Sequence, residues 1–120
     1  MALSPAGRAD RSTSDRLHNE AMTAYVISEV RVPDETLAQR YRDLAATSIA
    51  RYGGRYLVRG TIPGVPEGAW DDQRRLVIVE FPTSEQLREW YTSPEYAVAL
   101  QIREQALDRR LLFAEGLPPS

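Results

Sequence analysis

Two charged side chains interrupt runs that otherwise read as apolar strands: Arg59 in Arg55-Tyr56-Leu57-Val58-Arg59, and Glu80 in Leu76-Val77-Ile78-Val79-Glu80-Phe81. Placed together in an apolar cavity, such a pair could do enol chemistry, the guanidinium steadying an enolate or phenolate while the carboxylate moves a proton. The same two residues also suit an ion pair across neighbouring strands, each offsetting the burial of the other. Glu80 and Arg59 are therefore the candidate catalytic residues, with a structural pair as the alternative. Trp70, Trp90 and Tyr96 are the aromatics best placed to line a pocket with them. Trp90 and its neighbour Tyr91 also have the helical spacing of core residues, whereas Tyr96, close to a helix start, is more open.

Other chemistries find little support. The chain has no Cys, so disulfides, thiolate nucleophiles and the usual Cys/His zinc sites are excluded. Its one histidine, His18, lies in a segment with no apolar period to anchor it, which a general base would need. Asp71 and Asp72 are adjacent carboxylates in a loop, but calcium asks for six or more oxygens, and no metal is expected. Gly60, Gly64 and Gly68 do not have the spacing of a phosphate-cradling loop, and no cofactor is expected.

Composition narrows the partners. A 120-residue chain with 42% hydrophobic and 27% charged residues fits one ordinary folded domain. Its net charge of -2 argues against a nucleic-acid surface, which needs clustered positive charge. All its basic residues are Arg. No apolar run is long enough to span a membrane and no signal-peptide core opens the chain, so a cytoplasmic location without membrane contact is expected.

The elements that would position the candidates follow in order. Residues 1–22 are rich in Ser, Arg, Asp and Ala and read as a flexible tail, with residues 118–120 as a short second one and the domain between them over 23–117. Met22 directly precedes the first strand and is a candidate start of the functional chain. Residues 24–32 alternate as a strand that Pro33 ends. Asp34 can cap a helix carrying Leu37, Tyr41, Leu44, Ala45 and Ile49 at helical spacing, which Gly53 and Gly54 stop. Strands over 54–60 and 75–81 flank a long Pro- and Gly-rich loop, and loops of this length are often functional. Thr83-Ser84-Glu85-Gln86 is a capping-box pattern opening a second helix at Ser84. Ser93-Pro94 caps and starts a further helical stretch, and 110–115 closes the chain as a fourth strand.

The order β, α, β, β, α, β is that of an α+β ferredoxin-like fold, a four-stranded antiparallel sheet with helices on one face. Strict alternation puts Tyr25, Ile27, Leu57, Ile78, Leu111 and Phe113 on the bare face, among Glu29, Arg59, Glu80 and Glu115. Six large apolar residues facing water would forfeit on the order of 10 kcal/mol per subunit, so a second copy of the chain is expected to cover them.

Four blocks in order carry a resemblance: Gly53-Gly54-Arg55-Tyr56-Leu57-Val58-Arg59-Gly60, Glu67-Gly68-Ala69-Trp70, Val79-Glu80-Phe81-Pro82 and Trp90-Tyr91-Thr92-Ser93-Pro94-Glu95-Tyr96. Together they resemble the bacterial domain of unknown function 1330 family over residues 23–117, with Thr61 where that family often has another Gly. The resemblance implies the dimeric α+β barrel superfamily, in which two such sheets face each other. It implies no activity, because relatives include cofactor-free monooxygenases, isomerases, cyclases and haem enzymes. Haem is disfavoured by the absence of His after Met22. The expectation is a homodimer binding a small organic molecule between sheet and helices. The alternatives are a cofactor-free enzyme acting on a small aromatic or enolisable substrate, and a structural interaction module without ligand.

Overall fold

The computed structural model describes residues 22–117 except residue 72, so all but residue 22 of the expected tail over 1–22, and the expected tail over 118–120, lie outside the described residues. Seven elements run β1 (Ala24–Arg31), α1 (Glu35–Arg51), β2 (Arg55–Thr61), β3 (Arg75–Phe81), α2 (Ser84–Tyr91), α3 (Pro94–Ala106) and β4 (Asp108–Glu115). The strands form one antiparallel sheet in the order β2-β3-β1-β4, the ferredoxin-like arrangement. None of the described helices is long and apolar enough to cross a membrane.

Local chemistry sets the helix boundaries. The Asp34 carboxylate accepts from the Leu37 N–H at 3.1 Å, Thr83 Oγ1 accepts from the Gln86 N–H at 3.0 Å, and Ser93 Oγ accepts from the Tyr96 N–H at 3.0 Å. Each satisfies a donor that the first turn leaves free. The second helical pattern is thus two helices, with Pro94 opening α3 where its missing N–H costs nothing. At the end of α1, Gly53 adopts φ 84°, and Gly54 lets the backbone approach Ile49 and Phe81, whose atoms a Cβ would meet at 2.8 Å.

All three helices lie on one face of the sheet. Ala24, Val26, Ser28 and Val30 of β1 point into them and are buried, and Val79 and Phe81 of β3 join them. Trp90 and Tyr96 are the largest fully buried side chains there, with ring centroids 4.2 Å apart. Trp90 is held in place by its Nε1–H donating to Ser48 Oγ at 2.9 Å, while Ser48 donates to the Ala45 carbonyl.

Among the described residues the opposite face carries no helix, but its membership differs from strict alternation in two places. Between Tyr56 and Val58 the β2–β3 register slips by one residue, so Arg59 lies opposite Val77 on the helix side, not beside Glu80. In β4, Ser28 faces Leu111 and Ile27 faces Leu112, so Leu111 and Phe113 are on the helix side and Leu112 takes the bare face. Phe113 meets Tyr91 of α2 at 5.4 Å between centroids. Tyr25, Ile27, Val58, Leu76, Ile78 and Leu112 then form the apolar part of the bare face. Two cross-strand ion pairs flank them: Arg55–Glu80 and Arg110–Glu29, both at 2.7 Å.

Candidate functional site

Between the sheet and α1 lies a cavity of about 110 Å³. Its walls are mostly apolar, from Val26, Val30, Val77, Val79, Ile49 and Trp90. Its charged lining is one-sided: among the described residues Arg42, Arg59, Arg75 and Arg109 contribute, and no Asp or Glu does. Arg59 and Arg75 are exposed, so the cavity reaches solvent past β2 and the start of β3. Arg59 stacks over the Tyr56 ring, its guanidinium carbon 4.2 Å from the centroid.

The innermost polar group is a cluster built from three elements. Tyr41 comes from the middle of α1, Tyr96 from the first turn of α3, and Arg109 from the second residue of β4. Arg109 Nη1 donates to Tyr41 Oη and Nη2 to Tyr96 Oη, each at 2.6 Å, and the two phenol oxygens are themselves 2.6 Å apart. Burial pushes the Tyr41 hydroxyl well above the usual tyrosine range, with Arg109 only partly offsetting it. Burial pulls the other way on Arg109, but the two phenol oxygens outweigh it and raise its pKa, so it stays a cation. Among the described residues Arg109 makes no ion pair. One more polar atom at the cavity stands alone: Ser28 Oγ, on a residue 4% exposed, has no hydrogen-bond partner among the described residues.

The five sequence-predicted site residues part company. Arg59 and Trp90 line the cavity, and Tyr96 lies behind Trp90 as a member of the arginine cluster. Glu80 is on the other side of the sheet, where its partners are Arg55 and the Tyr25 hydroxyl, which donates to it at 3.4 Å. The expected Arg59–Glu80 pair is therefore not formed: Arg55 is the residue opposite Glu80, and Arg59 lies further along β2, opposite Val77 and on the helix side. Trp70 sits outside the cavity as well: its Nε1–H donates to the Arg74 carbonyl at 3.1 Å beside an open polar cleft that also holds Glu29, Asp71, Asp108 and Arg109. Among the described residues no three His, Cys, Asp or Glu side chains gather as a metal-holding group.

Arg109, Tyr41 and Ser28 were not singled out from the sequence as site residues. Tyr41 was legible only as part of the α1 core stripe, and Arg109 lay outside the expected fourth strand. Ser28 carried the one available signal, a lone hydroxyl in the strand face Val26-Ser28-Val30 that is otherwise apolar.

The sheet order, the helices on one face and the cavity beneath them define an α+β protein of ferredoxin-like type. The chain belongs to the family described as domain of unknown function (DUF1330), whose profile matches residues 23–117. It is similar in fold to a protein of unknown function from Rhodopseudomonas palustris, at 22% identity and a TM-score of 0.65 over 98% of each chain. A cofactor-independent oxygenase from Streptomyces nogalater aligns over 78% of this chain and 92% of its own, with 14% identity and a TM-score of 0.58. A dimeric protein of unknown function with a ferredoxin-like fold from Bacteroides fragilis aligns over 79% and 96%, with 13% identity and a TM-score of 0.52. A comparison with curated proteins finds no match.

Proposed function

We propose that the chain is a homodimeric small-molecule-binding protein whose ligand sits between the sheet and α1. The observation that carries this reading is the cavity of about 110 Å³, apolar in its walls and supplied with a few convergent polar groups at Arg109, Tyr41 and Ser28. An engineered apolar cavity of roughly 150 Å³ accommodates benzene; this one is smaller but opens to solvent past β2, so the ligand implied is a compact organic molecule with part of it in the cavity mouth. A purely structural module would have filled this space with side chains.

The dimer half of the reading rests on the bare sheet face. Leu112 is 46% exposed and the other five are partly exposed within one subunit, so covering them adds up to about 1 kcal/mol each. The flanking ion pairs of Glu80 and Glu29 are internally neutral, which makes their burial between copies tolerable. The dimeric relative from Bacteroides fragilis is consistent with such pairing.

A catalytic reading has one observation in its favour: Arg109 and Tyr41 present a cation and a hydroxyl to the cavity, the groups that would steady an enolate or phenolate. Of the two expected catalytic residues only Arg59 is at the cavity, and among the described residues no Asp, Glu or His lines it to accept a proton. Binding is accordingly the function the geometry supports best. Native mass spectrometry of the purified protein tests it: a non-covalent adduct of low mass on the folded dimer, lost on denaturation, is expected. Failure of any compact aromatic probe to bind at millimolar concentration refutes it.

A further inference from the structure

Counting protons in the buried cluster shows what kind of ligand it lacks. Each phenol oxygen of Tyr41 and Tyr96 accepts one N–H of Arg109, and one phenol donates to the other. That leaves one phenolic O–H without an acceptor, and a guanidinium has five N–H groups of which two are used here. Tyr41 lines the cavity and Tyr96, fully buried, does not. The arrangement that strands no proton in the core is Tyr96 donating to Tyr41, with the Tyr41 proton directed to the cavity.

Ser28 adds a second donor to the same space. It lies opposite Leu111 on β4, while Arg109 lies opposite Val30, so Ser28 and Arg109 are diagonal neighbours on one face of the sheet. Diagonal cross-strand positions are about 7–8 Å apart, a gap that one group with two acceptor oxygens can bridge. Three further arginines line the cavity and, among the described residues, no acidic residue does, although the whole chain carries a net charge of -2.

We propose that the ligand is a compact organic monoanion, a carboxylate on a flat apolar body, with its oxygens accepting from Tyr41, Arg109 and Ser28 and its body against Val77, Val79 and Trp90. This rests on the cavity being a binding site and adds the charge and orientation of what it binds. Arg42, Arg59 and Arg75 line the outer part of the cavity and favour entry of an anion. One negative charge is the number that neutralises Arg109. Arg42 is already held by Glu35.

The test compares benzoate with benzamide, its neutral analogue of the same shape, by calorimetric titration of the full-length protein at pH 7.5. Charge-assisted hydrogen bonding predicts that benzoate binds about tenfold or more tightly than benzamide. Arg109→Met should abolish that preference while leaving benzamide binding in place. Ser28→Ala, which removes a single unpartnered hydroxyl and poses little risk to folding, should weaken benzoate several-fold and benzamide less. Equal affinity of the wild type for both probes overturns the anion proposal and leaves the cavity as a binding site. A benzoate preference unchanged in Ser28→Ala and in folded Arg109→Met or Arg109→Gln overturns it too, by placing the anion elsewhere. Binding of neither probe overturns both readings.

Discussion

Leu112→Arg is the substitution that isolates the bare sheet face. Leu112 is 46% exposed within one subunit, so about half of its side chain remains to be buried by a partner. Complete burial of a Leu contributes about 1.5–3 kcal/mol, which leaves about 1 kcal/mol per copy and, with two copies in a two-fold interface, about 2 kcal/mol. An arginine at the same place adds the cost of desolvating an unpaired cation, several kcal/mol even after relaxation. The sum is about 4 kcal/mol or more, or roughly a thousandfold weaker dimer. Subunit stability should change by no more than about 1 kcal/mol, because the position is partly solvated before association. Sedimentation velocity over a dilution series reads the outcome. The wild type should run at twice 13.6 kDa and the variant at 13.6 kDa at micromolar concentration. A variant that dimerises as tightly as the wild type would refute the assignment of this face, and so would a monomeric wild type.

Three further outcomes follow from side chains already placed. In the monomeric Leu112→Arg background, Glu80→Gln should cost less than about 1 kcal/mol in urea unfolding, because its partner Arg55 is 72% exposed and the pair is screened; it should also leave benzoate affinity unchanged, and a larger effect on either would put Glu80 back in the site. Trp90→Phe removes the hydrogen bond to Ser48 and leaves a void beside Tyr96, so a loss of about 2 kcal/mol and a melting temperature lower by about 10 °C are expected by calorimetry. Burial raises the Tyr41 pKa above its unfolded value, so its contribution to stability is fully present below about pH 10 and is lost as pH rises beyond that. Denaturant titrations from pH 8 to pH 11 should therefore show a steeper fall for the wild type than for Tyr41→Phe; parallel curves would contradict it.

Sequence reasoning served best where a local rule acts alone. Asp34, Thr83 and Ser93 cap their helices because a short polar side chain before an amphipathic run has one useful partner, the N–H three residues on. Strand order followed from element order because two crossover helices and one connecting loop leave few other ways to join four antiparallel strands. What failed was parity. Leu111, Leu112 and Phe113 are three consecutive apolar residues, so alternation alone cannot say which of them faces the helices; pairing with β1 decides, and it chose Leu111 and Phe113. Arg59 was misplaced for a different reason, since a bulge is a property of two strands and leaves little trace in one. The cavity cluster was hidden because Tyr41, Tyr96 and Arg109 are far apart in the chain and each taken alone has an ordinary explanation.

The bulge in β2 also sets how readily this scaffold can change. Leu57 is the extra residue, with Tyr56 opposite Val79 and Val58 opposite Ile78 on either side of it, so deleting it would close this bulge and leave Arg59 opposite Val77, still at the cavity. One in-frame codon could thus be lost here without turning any flanking side chain from one face of the sheet to the other. The bulge is in this sense a spare residue: the strand can shorten by one at Leu57 while the ligand's surroundings and the face where copies are expected to meet keep their side chains.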